Sequence, residues 1–297
     1  MELSTLASSP DSSVNVQQAR RGLTIFGLLL LPLSIFGYWF YAMAEARNLP
    51  LGASIPIMLS PTIAAVITRL VQREGFADVS FKFGGRQTRS AIYLGLAVPL
   101  LVGSIAYSIA FLTGLVQFDP PSMPFIPPTT SPIVHLILML ALTATLGTLV
   151  LLPTAAGEEI GWRGYLLPRL IQANVPYPIL LSGLIWAVWH LIPVFTAGYA
   201  AGPSLLLSAL GLMIAIPAYG YLLAWMRLDT GSIWPCIVAH AAWNATINGG
   251  FDLAAQGENA RLWTGESGLL VVFILVVVTM GIGWVRQRWA RESRASV

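Results

Sequence analysis

Eight apolar blocks, each near the length needed to cross a bilayer, take up most of this chain. They fall at about 22–44, 51–70, 91–115, 133–156, 177–197, 204–226, 231–249 and 267–285. A helix of about 20 residues spans a ~30 Å hydrocarbon core, so each block is a candidate transmembrane helix. The charge content agrees, because only 10% of the 297 residues are charged, whereas a soluble domain carries about 25%. A surface so poor in charge faces lipid. The blocks do not alternate as barrel strands do, and an open sheet leaves unsatisfied edge groups in lipid. The sequence therefore predicts an all-α polytopic membrane protein, a bundle of about eight transmembrane helices without an attached soluble module.

The placement of the basic residues sets the expected orientation. If eight spans alternate from an inside N-terminus, all of the 16 basic residues except Arg47, Arg163 and Arg261 fall in segments on one side. The opposite side carries Glu45, Asp119, Asp252, Glu258 and Glu266. This is the positive-inside asymmetry, which predicts cytoplasmic termini. The basic segments are thus topology signals, and nucleic acid is not an expected partner. The lipid bilayer is.

Three regions follow: a polar N-terminus at 1–21, a transmembrane domain at 22–285, and a basic tail at 286–297 that is expected to fray. No small-residue cleavage site follows the first apolar run, so that run is read as a signal anchor. The longest inner connection is about 71–90. The main outer one, 117–132, holds six prolines that favour an extended path, and a second outer loop runs through 250–266. The single Cys236 excludes an internal disulfide and suits a small core position.

Ionisable groups inside a bilayer cost several kcal/mol each on insertion scales, about 2.5–3.5, and are functional candidates by default. They cluster in three segments: Gly157–Leu166 with Glu158, Glu159 and Arg163, then Trp186–His190, then His240–Asn244. Glu159 and Arg163 are one turn apart on a single helix face and suit an ion pair. Glu158 lies about 100° around the helix and is left free for chemistry. Gly157 and Gly161 form a small-xxx-small step for close helix approach. His240 and Asn244 are again one turn apart. His135 lies near the outer end of its block and is read as a packing residue.

Glu158, His190, His240 and Asn244, converging from three helices, would suit hydrolysis. A carboxylate can take a proton from water, imidazoles can hold that water or a metal, and an amide can stabilise an oxyanion. Glu158, His190 and His240 also have the composition of a catalytic zinc set, so the cluster admits a divalent metal such as zinc without requiring one. Asn244 is a poor zinc ligand, and the chain lacks the His-Glu-x-x-His motif of ordinary zincins.

At these segments the sequence resembles the CPBP family of intramembrane proteases, which groups type II CAAX prenyl endopeptidases with bacteriocin-processing and immunity-type proteins. The family pattern is Glu-Glu-x-x-x-Arg, then aromatic-x-x-x-His, then His-x-x-x-Asn on successive membrane helices. Here it reads Glu158 to Arg163, Trp186 to His190 and His240 to Asn244, over about residues 150–250. The usual first aromatic, Phe, is replaced by Trp186, a change expected to keep the packing role. The resemblance implies cleavage of a membrane-associated protein, a prenylated peptide or a leader peptide near the cytoplasmic leaflet of a bacterial cell membrane. It makes Glu158 the base, assigns His190 and His240 to water or metal, puts Asn244 at the oxyanion, and leaves Glu159 and Arg163 as supports.

A different class is a non-catalytic membrane adaptor with a protease-like fold, although an adaptor has no need of Glu158. Bis-His haem binding requires neither the Glu pair nor Asn244, and a proton-relay transporter needs only Glu158. One geometric tension stands. In a straight helix from residue 133, Glu158 lies ~37 Å along the axis, close to the inner surface, unless the helix starts later, tilts, or bends near Gly147 or Pro153.

Overall fold

The computed structural model describes residues 15–47, 52, 54–122, 127 and 130–295. The eight predicted blocks appear as α1 (Val16–Ala46), α2 (Ile55–Gln72), α3 (Arg86–Leu112), α4 (Pro132–Gln172), α5 (Pro178–Ala197), α6 (Leu205–Thr230), α7 and α8 (Leu269–Ala295). In α7 an α-helical stretch, Trp234–Trp243, is followed by a π turn, Asn244–Asn248. Seven of the eight are long and apolar enough to cross a membrane. The exception is α7, which is shorter and packs between α3, α4 and α6. Exposed apolar side chains such as Leu31, Trp39, Val150, Phe273 and Met280 cover the outside of the bundle, the pattern of a protein solvated by lipid.

Two helices run further than expected. The sequence reading stopped the fourth helix at 156, where charged residues begin, but α4 continues to Gln172. Its charges do not end it because Glu159 and Arg163 neutralise one another within the helix. π turns at Thr143–Gly147 and Trp162–Leu166 interrupt it without breaking it. At 41 residues it is about 60 Å long, so Glu158 lies well inside the helix rather than at its exit. Similarly α8 remains helical to Ala295, where a frayed tail was expected. The Pro-rich 117–132 connection contributes a short strand, Gln117–Phe118, paired antiparallel with Ala255–Gln256. Residues 123–126, 128 and 129 of it, like residues 1–14 of the polar 1–21 segment, lie outside the described residues.

The basic segments meet at one end of the bundle. Arg20 Nε donates to the Ala173 carbonyl, Gln72 to that of Gln18, and the Ile233 amide to that of Ser80. At the centre lies Asp78, on the α2–α3 connection. It pairs with Arg69 at 2.6 Å and Arg169 at 2.8 Å, its carbonyl accepts from Arg227, and Arg169 also pairs with Glu74 at 2.6 Å. Arg69 and Arg169 are among the largest fully buried side chains of the chain. Burial alone would raise the Asp78 carboxyl, but the two guanidiniums outweigh it and hold the group below its ordinary value. We call this end the basic end. The opposite end gathers the short strands with the 198–204 and 250–267 loops.

Helix packing without a water-driven hydrophobic force relies on close approach, and the small-xxx-small step supplies it. A Cβ on Gly161 would lie 2.3 Å from Pro61 Cβ and 2.5 Å from its carbonyl carbon, and one on Gly157 would lie 2.9 Å from the Met58 carbonyl oxygen. Gly161→Ala should therefore force α2 off α4 and cost about 1–3 kcal/mol. Gly27→Ala on α1, where nothing lies within 4 Å, should be neutral or slightly stabilising. Thermal unfolding of both variants in detergent checks the contrast.

Candidate active site

The four residues singled out by motif, Glu158, His190, His240 and Asn244, all line one cavity of about 400 Å³. Its other walls come from Tyr38 on α1, Met58 on α2, Leu212, Ile216 and Tyr219 on α6, and Leu275 on α8. Glu158 and His240 are buried, while His190 and Asn244 are half-buried. The cavity extends from Glu158 and His240 away from the basic end, past Pro193 and Asn248, to Tyr199 and Glu266. Toward the basic end, behind the side chains that line the cavity, Trp162, Arg163, Tyr165, Arg69 and Arg169 are packed in the interior, each at most 1% exposed.

Glu158 has no ion pair among the described residues. Its Oε2 accepts the indole N–H of Trp162 at 3.3 Å and that of Trp186 at 2.9 Å. Trp162 follows it by one turn and opens the second π turn of α4, while Trp186 comes from α5. Two neutral donors hold the carboxylate in place without cancelling its charge. With both on Oε2, Oε1 is the oxygen left to the cavity.

Glu159 does more than pair with Arg163. Its Oε1 accepts from Arg163 at 2.7 Å and from His240 Nδ1 at 2.8 Å. An imidazole whose Nδ1 carries the proton given to a carboxylate leaves its Nε2 as an acceptor when neutral. His190 is fixed similarly, because its Nδ1 lies 3.0 Å from the Trp186 carbonyl, which can only accept. Both rings lie edge-on to the Trp186 indole, with centroids 5.6 Å away for His190 and 5.3 Å for His240. The Arg163 guanidinium covers the same indole at 4.2 Å. Trp186 thus touches the base candidate, both imidazoles and the supporting cation, far more than the packing role expected from the sequence.

The metal set considered from the sequence does not assemble. Among the described residues no three His, Cys, Asp or Glu side chains come together as metal ligands. Glu158 Oε2 is engaged by two indoles and each Nδ1 by an oxygen of the protein, which leaves Glu158 Oε1 and the two Nε2 atoms without such partners. Glu158, His190 and His240 share a cavity but do not form a three-ligand group.

Sequence reasoning missed the far pole of the cavity. There Glu266 Oε1 accepts from the Asn248 amide at 2.7 Å, and Oε2 from the Tyr199 hydroxyl at 2.6 Å. Burial, followed by the nearby Glu266 charge, pushes the Tyr199 hydroxyl well above its ordinary value, so it remains a donor. One signal was available, since His240, Asn244 and Asn248 follow at steps of four along a single stripe of α7. His135, assigned no role, lies away from the cavity, its Nε2 3.4 Å from the Pro127 carbonyl.

The chain matches no curated protein. Residues 130–246, rather less than half of the chain, contain Glu158 with both of its indole donors, both imidazoles and Asn244; they match the family model described as type II CAAX prenyl endopeptidase Rce1-like, which supports a CPBP-family intramembrane protease of the CAAX type.

Proposed function

We propose that this protein is an intramembrane endopeptidase in which Glu158 activates water against a peptide bond of a membrane-associated substrate. The observation that carries the reading is the meeting of Glu158, His190, His240 and Asn244 on one cavity wall. Water that donates one O–H to the Nε2 of His190 or His240 gives its other proton to Glu158, and its oxygen attacks the scissile carbonyl carbon. The oxyanion that forms accepts a hydrogen bond from the Asn244 amide. Glu158 then returns the proton to the peptide nitrogen as the C–N bond breaks, releasing an acid and an amine. Glu159 and Arg163 act through His240 and Trp186 and are positioning residues. Prenylated C-termini, leader peptides and the tails of membrane proteins all have the apolar character the cavity walls suit.

We place both termini on the cytoplasmic side from the charge asymmetry. The sequence reading expected access from that leaflet, yet the cavity runs away from the basic end. Entry is therefore better read as lateral, from lipid, or from the opposite end. The test is to compare peptide termini in membranes of cells carrying the wild-type chain and the Glu158→Ala variant. Termini that vanish in the variant support the reading, and identical termini under all growth conditions overturn it.

Trp186 gives a second, smaller test. Trp186→Phe keeps an aromatic ring of the kind usual in the resembling family but removes the hydrogen bond to Glu158. A hydrogen bond to a charged group contributes about 1.5–3 kcal/mol, so kcat/KM should fall roughly 10- to 100-fold. Thermal stability should change little. Steady-state kinetics on a peptide found by the terminus comparison would check it.

A further inference from the structure

We propose that Glu266, held between Tyr199 and Asn248, is a cation subsite of the cavity and takes an ammonium or guanidinium group of the substrate peptide. The subsite rests on the protease reading for its substrate, and extends it to specificity.

Glu266 lies on the loop before α8, outside the segment that matches the family model. Each of its carboxylate oxygens accepts one hydrogen bond, and both donors are neutral. The two bonds fix the plane of the carboxylate and leave lone pairs for a further donor. Among the described residues Glu266 forms no ion pair. The surrounding cavity is lined mainly by aromatic and aliphatic side chains, a setting in which an uncompensated carboxylate is costly. A ligand cation is the partner this arrangement lacks, and Glu158 at the other pole adds to the same negative field.

The spacing sets where that cation must sit. Asn248 follows His240 by eight residues on one helix, roughly 12 Å along its axis. An extended chain advances about 3.3–3.6 Å per residue, so the cation belongs about three or four residues from the scissile bond. It can be a Lys or Arg side chain or the free amine of a peptide N-terminus.

A purely structural Glu266 would tie its loop to α5 and α7 without discriminating among ligands, and binding separates the two roles. The probes are an apolar octapeptide carrying a C-terminal fluorophore, with one Lys or its neutral isostere norleucine moved through each position. Each peptide is made with a free and with an acetylated N-terminus. Fluorescence anisotropy against the full chain in lipid nanodiscs should show at least tenfold tighter binding of a cationic form than of its neutral counterpart. Dependence on Lys identifies the side chain as the source, and dependence on the free terminus identifies the amine. Glu266→Gln should erase the preference, and Glu266→Asp should retain part of it. Equal binding of all forms to the wild-type chain overturns the proposal whether or not any variant folds. So does a preference that survives Glu266→Gln.

The two levels of the reading fail separately. A cation preference without cleavage of any peptide leaves the subsite standing and removes the protease. Cleavage without a cation preference does the reverse.

Discussion

Cells carrying Glu158→Gln should lose the peptide termini that the wild-type chain produces, with kcat/KM on an isolated substrate down by about 10²- to 10⁴-fold, the usual range for a positioned general base. Gln is the informative replacement because it preserves shape. Its carbonyl can still accept from Trp162 and Trp186, which hold Glu158 Oε2 at 3.3 and 2.9 Å. What it cannot do is take a proton from water. The variant should therefore unfold at nearly the wild-type temperature, which separates lost chemistry from lost fold. Full biological function in these cells would favour the non-catalytic adaptor instead, since an adaptor needs the shape of this site and not its basicity.

The largest effect on stability is expected at the basic end. Asp78→Asn removes the negative charge between Arg69 and Arg169, whose side chains are both 1% exposed. Removing one partner of a buried ion pair typically costs about 3–5 kcal/mol, because the other charge remains buried without compensation. The lower part of that range applies here. Arg169 keeps Glu74, and Arg69 keeps the carbonyls of Gly75 and Gly164. Acid should reproduce part of the loss in the wild type. Asp78 is held below its ordinary value in the fold, so its contribution is present above the unfolded carboxylate range near pH 3.9. It disappears as pH falls through the lower, folded value. Thermal unfolding in detergent should show a steeper decline below about pH 4 for the wild type than for Asp78→Asn. Parallel curves would mean that the Asp78 pairs add nothing.

What was readable in the sequence was local. The Glu159–Arg163 pair follows from one turn of spacing, and the close approach at Gly161 from the absence of a side chain. The number and order of the helices follow from the apolar blocks. What escaped depends on which helices become neighbours. Nothing near Glu159 indicates that it also orients His240, 81 residues away. Trp162 and Trp186 look like packing residues until their N–H groups are seen to meet on one oxygen. Arg69 and Arg169 were counted as topology charges, and Asp78 was passed over, because ion pairs between distant segments leave no period in a sequence. The end of α4 was misplaced for a related reason. Hydropathy falls after residue 156, but charges that neutralise one another inside a protein do not end a helix.

The packed interior between Glu158 and the basic end bears on the cell's ion gradients. A hollow that admits solvent to the depth of Glu158 removes much of the bilayer's insulating thickness at that spot. Here Arg163, Arg69 and Arg169 are buried between aromatic rings under the cavity. Packed in this way, they occupy the space between the cavity and the basic end, which works against a leak through the bundle.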